Sequence, residues 1–222
     1  MNVLITGANR GLGLGFVRHY LDQGSHVWAC YRSGPDGLAE LAGERLHLLR
    51  WDVGSDEPPQ GELPASLDLL INNAGIYGPH DGGQSLNVVT PVAMQEVFNI
   101  DCVGPLRVVQ RLQGALAAAR GVIANISSKM GSNADNGSGG AYAYRAAKAA
   151  LVAVSKSMAI DLATQGVRVI TLHPGWVRTD MGGQQALIDV ETSVTGMAGV
   201  ISRASEYEPG AFVAFDGRIV PF

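Results

Sequence analysis

Tyr144 and Lys148 stand four residues apart in Tyr144-Arg145-Ala146-Ala147-Lys148, a segment of helical composition, so both side chains leave one face of a helix. An ammonium beside a phenol stabilises the phenolate. It lowers the tyrosine pKa from about 10 toward a range where the group exchanges a proton with a carbonyl or alcohol oxygen. Ser128 closes an apolar run of strand character, Gly121 to Ser127, and its hydroxyl is suited to hydrogen-bond the same reacting oxygen. Near the start, Thr6-Gly7-Ala8-Asn9-Arg10-Gly11-Leu12-Gly13 follows a short apolar run and opens a helical one. Its three glycines permit a tight turn and close backbone approach, and leave amide N–H groups at the positive end of a helix, as a pyrophosphate requires.

These groups need a scaffold that brings residues 6–13 and 128–148 to one edge. Apolar runs at Val3 to Ile5, His26 to Cys30, Leu46 to Trp51, Leu67 to Asn72, Gly121 to Ser127 and Val167 to His173 have strand length, and Phe212 to Phe215 supplies a seventh. Between them Gly13 to Gln23, Val92 to Ala119, Ala143 to Gln165 and Thr192 to Ser202 read as helices. Strands apolar on both faces and separated by helices predict an α/β, doubly wound Rossmann fold, a parallel sheet of about seven strands with helices on both faces. Val53 to Ser66 holds Pro58, Pro59, Gly61 and Pro64, so one crossover is expected to lack a regular helix. Gly131 to Gly140 is the most loop-like stretch.

With 222 residues, 46% of them hydrophobic, the chain fits a single domain with a sizeable core. A net charge of −4 and no basic run oppose a nucleic-acid or anionic-membrane partner. Cys30 and Cys102 make no disulfide framework, and the five histidines are scattered without metal-ligand spacing, so no metal is expected. Asn2 to Ile5 is too short and unflanked for a signal peptide, and no run of about eighteen apolar residues occurs, so the expected location is cytoplasmic.

The Gly-x-x-x-Gly-x-Gly spacing led by Thr6 resembles the short-chain dehydrogenase/reductase family. The likeness continues through Asp52-Val53, Asn72-Asn73-Ala74-Gly75, Asn99, Asn125-Ile126-Ser127-Ser128, the Tyr144/Lys148 pair and Pro174 to Thr179. Within that family, Asn125 to Lys148 and His173 to Gly183 look most like the C-factor and sniffer-type carbonyl reductases. The resemblance implies hydride transfer between nicotinamide and a carbonyl or alcohol. Tyr144 would be the general acid or base, Ser128, with Ser127 as first reserve, would polarise the carbonyl, and Lys148 would also hold the nicotinamide ribose. Asn99 would hold a water linking Lys148 to solvent. Gly7, Asn9, Arg10, Gly11, Leu12 and Gly13 would cradle the pyrophosphate. Asp52, with Val53, is expected at the adenine, with a turn-stabilising role as the alternative for Asp52; Asn73, Ala74 and Gly75 are expected along the ribose. Pro174, Gly175, Val177 and Thr179 would border the nicotinamide.

An NAD site wants a carboxylate at the end of the second strand. Here Tyr31-Arg32-Ser33 offers none, and Arg32 and Arg10 suit a 2′-phosphate, so NADP(H) is expected over NAD(H). The substrate is expected to be a small carbonyl or alcohol, and the short stretch from Asp180 to Glu191 implies an open cleft. Trp176 is placed either at the substrate or in the core, and Lys129 either at the substrate or in solvent. By analogy with the family a homodimer or homotetramer is expected, paired through the helices Val92 to Ala119 and Ala143 to Gln165. A signalling or sensor protein of the C-factor type that binds NADP(H) with little or no turnover is the alternative.

Overall fold

A computed structural model describes residues 1–41 and 43–222. Seven strands, β1 (Asn2–Ile5), β2 (His26–Tyr31), β3 (Leu46–Arg50), β4 (Leu69–Asn72), β5 (Val122–Ile126), β6 (Arg168–His173) and β7 (Phe212–Ala214), form one parallel sheet in the order β3-β2-β1-β4-β5-β6-β7. The chain grows outward from β1 to β3, then crosses back to β4 on the other side of β1. That reversal opens a crevice at the C-terminal ends of β1 and β4, where α/β sheets of this kind take ligands.

The two faces of the sheet bury separate apolar layers. Val3, Ile5, Val27, Ala29, Leu69 and Ile71 point to one face, which α1 (Gly11–Asp22) covers with Phe16, Val17 and Tyr20, and α5 (Val190–Ser202) with Val194, Met197 and Ile201. Leu4, Cys30, Leu49, Leu70 and Ile123 point to the other. There α3 (Gly104–Ala119) supplies Val108, Leu112 and Leu116, and α4 (Tyr142–Asp161) supplies Met158 and Ala159. The alternation follows from the two-residue period of a strand buried on both sides.

All seven expected strands form, and the Val53–Ser66 crossover has no helix, only an isolated pairing of Arg50 with Gln60. The single helix expected over Val92–Ala119 is corrected. It is α2 (Pro91–Phe98), a π turn at Asn99–Val103, and α3. Pro105 lacks the amide N–H that an unbroken α-helix would donate to Asp101 O, and the wider turn absorbs the missing bond. Among the described residues no helix is long and apolar enough to cross a membrane.

Candidate active site

The glycine loop is held open from behind. Thr6 Oγ1 accepts from the amides of Asn73 and Ala74, both at 3.0 Å, and Asn73 Nδ2 donates to Thr6 O and Gly7 O, each at 3.0 Å. Gly7 (φ +61°) lies so close to β4's exit that a Cβ there would be 2.9 Å from Ala74 Cα, and a Cβ on Gly13 would be 2.1 Å from Gly7 O. No side chain caps α1 and no acid stands in its first turn, so its leading amides face the crevice unsatisfied.

Gly7, Asn9, Arg10, Gly11, Leu12, Arg32, Asp52, Val53, Asn73, Ala74, Gly75, Tyr144, Lys148, Pro174 and Thr179 line one cleft of ≈ 460 Å³. Gly13, Asn99, Ser128, Gly175 and Val177 are not among the residues that line it, whereas Ser127 is. Val177 is buried and pairs with Ile188, and a Cβ on Gly175 would be 2.7 Å from Ile188 Cδ1. Asp52 Oδ1 accepts from Gly54 N at 2.9 Å, so the carboxylate shapes its own turn while facing the cleft. Arg32 is exposed in the cleft, whereas Arg10 pairs with Asp180 at 3.2 Å. Asp36 also lines the cleft; Asn9 Nδ2 donates to its Oδ2 at 2.6 Å.

At the other end α4 delivers Tyr144 and Lys148, both buried. Ser127 Oγ donates to Lys148 O at 3.0 Å, tying β5 to that helix. Ser128 Oγ accepts from Met130 N at 3.2 Å, which leaves its proton free, and its hydroxyl lies close enough to the Tyr144 phenol to favour the phenolate. Lys148 Nζ donates to Ile126 O at 3.0 Å and lies 5.6 Å from the Tyr144 ring centroid.

The Asn99 side chain is engaged by other partners than Lys148. Its Nδ2 donates to Gly54 O at 2.7 Å and its Oδ1 accepts from Arg107 at 3.3 Å. The residue beside Lys148 is Asp101, two positions on in the π turn, with Oδ2 3.0 Å from Nζ and Oδ1 accepting from Ile76 N at 2.8 Å. Lys148 donates its regular hydrogen bond to Ile126, and its contact with Asp101 is an off-axis ion pair. Burial opposes the Lys148 charge, but Asp101 and Tyr144 outweigh it and hold its pKa above the ordinary lysine value. Burial likewise lifts the Asp101 carboxyl, against the pull of Lys148 and the Ile76 amide.

The expected lowering of the Tyr144 pKa is corrected. Burial raises it more than Lys148 and the Ser128 hydroxyl lower it, with Asp101 and Tyr77 adding to the rise. Reading Tyr144 and Lys148 as an isolated pair left out the burial of the phenol, and the Asp101 carboxylate that opposes the ammonium.

The remaining candidates have local partners. Lys129 Nζ pairs with Asp135 at 2.9 Å, inside the glycine-rich loop, and Arg145 straps that loop through Met130 O, Gly139 O and Ser138 Oγ. Trp176 is half exposed and its indole donates to Gly182 O at 2.8 Å, so it is not a core residue. Gln84, which carried no sequence signal, is buried and accepts from Tyr144 N at 2.9 Å.

Residues 1–187 match the family described as short chain dehydrogenase. The chain is 43% identical over 157 residues to C-signal of Myxococcus xanthus, covering 70% of this chain and 93% of that protein. Among solved structures it resembles the carbonyl reductase Sniffer of D. melanogaster, with TM-score 0.89, 32% identity, and 100% and 99% of the two chains covered. It also resembles an NADPH-bound carbonyl reductase from chicken fatty liver, with TM-score 0.88, 32% identity, and 100% and 98% covered.

Proposed function

Because this chain belongs to the short-chain dehydrogenase family, we propose that it is an NADP(H)-dependent oxidoreductase acting on a small carbonyl or alcohol. The carrying observation is that Tyr144 and Lys148 line the same cleft as the glycine loop. The glycine cradle, which a Cβ at Gly7 or Gly13 would fill, and the uncapped start of α1 fit a dinucleotide pyrophosphate. Arg32 at the end of β2 supports a 2′-phosphate. Asp36, the acid nearest that position, is already engaged by Asn9. The NADPH named for a solved carbonyl reductase of similar fold supports the same choice.

When bound, the nicotinamide exchanges a hydride with the substrate carbon. Tyr144 gives its phenolic proton to the carbonyl oxygen in reduction and takes one from the alcohol in oxidation. Its raised pKa keeps that proton in place at neutral pH. Ser128, with its own proton unspent, donates to the same oxygen and stabilises the charge developing there. Lys148 places a positive charge behind the phenol and holds the nicotinamide ribose. Pairing of two or four copies through α3 and α4 belongs to this reading and is tested by light scattering.

Titration with NADPH and NADH, followed by nicotinamide fluorescence, and then a panel of aldehydes, ketones and quinones tests it. The expected result is NADPH-selective binding with turnover that Tyr144→Phe abolishes. Folded protein that binds neither nucleotide sinks the assignment.

The identity to C-signal favours a second reading, an NADP(H)-binding signalling or sensor protein with little turnover. Under that reading the biological output survives Tyr144→Phe and is lost when Arg10 and Arg32 are replaced.

A further inference from the structure

Asp101 is wholly buried, and its carboxylate meets two donors of different kinds. Oδ1 takes the Ile76 amide at 2.8 Å, and Oδ2 lies 3.0 Å from Lys148 Nζ. The cleft wall passes directly over this pair, since a Cβ on Gly75 would be 3.2 and 3.3 Å from the two carboxylate oxygens and 3.3 Å from Nζ. Only a carboxylate offers one oxygen to the amide and sets the other, with its charge, beside the ammonium. An amide in the same place has one acceptor, and turns its NH₂ toward either Ile76 N–H or the ammonium.

We propose, on the oxidoreductase reading above, that Asp101 is a positioning residue for the reaction: its carboxylate fixes the Lys148 ammonium behind Tyr144 and sets how much of that charge reaches the phenol. A lysine alone in this pocket would be a buried, uncompensated cation. With Asp101 the pair is close to neutral, so the ammonium stays protonated and its pull on the phenol is moderated. The π turn makes this possible by swinging residue 101 inward while Asn99 stays with Gly54 and Arg107.

The groups facing the pair are few. Tyr77 contributes from the loop after β4, its ring 5.0 Å from that of Tyr144, and Ser128 from the end of β5. Cys102 stands next to Asp101 in the π turn, and burial, with Asp101 adding to it, pushes its thiol up to about 11, so Cys102→Ser is scanned in parallel as the control for the alkaline limb.

The test is Asp101→Asn, followed as kcat/KM for carbonyl reduction and, separately, as the NADPH dissociation constant by fluorescence, each across pH 6 to 10. Removing the carboxylate strengthens the ammonium's pull on Tyr144 and makes Lys148 easier to deprotonate. Both changes move the alkaline fall of each profile to lower pH, by about one unit, or roughly tenfold in activity above the limb. Asp101→Ser also removes the charge and is smaller, so it repeats the measurement if Asp101→Asn does not fold. Profiles that superimpose on those of a working unsubstituted protein overturn the role of Asp101 alone. An unsubstituted protein that neither binds NADPH nor reduces a carbonyl overturns the oxidoreductase reading, and this inference with it.

Discussion

The side-chain carbonyl of Gln84 accepts the backbone amide of Tyr144 at 2.9 Å, and its amide nitrogen donates to Tyr77 O at 2.7 Å and Pro79 O at 3.2 Å. Its main-chain oxygen also takes Tyr142 N at 3.3 Å. Helix α4 begins after Ala141, which is left-handed at φ +48° and offers no side-chain cap. A glutamine from another loop therefore does the capping, and sets both the start of the helix and the seat of the phenol.

Replacing Gln84 by Ala leaves the Tyr144 amide and the Tyr77 and Pro79 carbonyls without this partner. The expected cost is about 1–3 kcal/mol in urea unfolding, with a fall in turnover beyond what NADPH affinity shows. Stability and turnover both equal to the unsubstituted protein would remove Gln84 from the site's support.

Gly75→Ala pushes a methyl group onto the Asp101–Lys148 pair at 3.2–3.3 Å. Because Gly75 also lines the cleft, nucleotide affinity is expected to drop about tenfold or more, with a loss of stability of roughly 1–3 kcal/mol from overpacking. Calorimetric titration together with thermal unfolding reads both. An unchanged dissociation constant would show that the wall gives without cost.

His173 is expected to make stability depend on acid. Burial and the Lys129 charge press its pKa down to about 4 from 6.5, and its neutral Nδ1 accepts from Lys129 N at 3.2 Å. Between these values the unfolded chain binds a proton that the folded one does not. The stabilisation is complete above about pH 6.5 and is lost as pH falls toward 4, on the order of 3 kcal/mol in all. Unfolding free energy measured from pH 7 to 4 should slope downward, and His173→Gln should flatten that slope. An equal slope in the variant would place the titrating group elsewhere.

Arg32→Ala should weaken NADPH by about 1–3 kcal/mol, the range of a charged hydrogen bond, and leave NADH nearly unchanged. Arg10→Ala should do less, since Arg10 is already engaged with Asp180 at 3.2 Å. Equal losses for both nucleotides in Arg32→Ala would argue against a 2′-phosphate at this end of the cleft.

The sheet was legible because buried parallel strands are short apolar runs, and the glycine loop because three glycines between a strand and a helix have few other uses. Tyr144 and Lys148 were found through helical spacing, and the structure brings them to the cleft that the loop lines. What escaped were relations that depend on a local break or on distant loops. A helical pattern running from Val92 to Ala119 conceals the π turn, and with it the choice between Asn99 and Asp101. Pro105 was the visible clue, as a proline inside a long apolar-periodic segment. Gln84 had no clue at all, since a polar residue in a glycine-rich loop looks like any other until α4 folds onto it. The sign of the Tyr144 shift escaped because it is set first by burial of the phenol, which helical spacing does not reveal.

The π turn at Asn99–Val103 separates two helices that do different work. Helix α2 packs on α4, while α3 packs on β4. One added residue in a helical turn is a rotation of about 100° about the axis. The turn thus acts as a phase adjuster, letting one nearly continuous rod present one azimuth to the helix that carries the chemistry and another to the sheet. Shortening it by a single residue would remove that phase shift while Pro105 still interrupted the helical hydrogen bonding. It would also carry the carboxylate at position 101 around the axis and away from the lysine, so chain length in this segment is under as tight a constraint as residue identity.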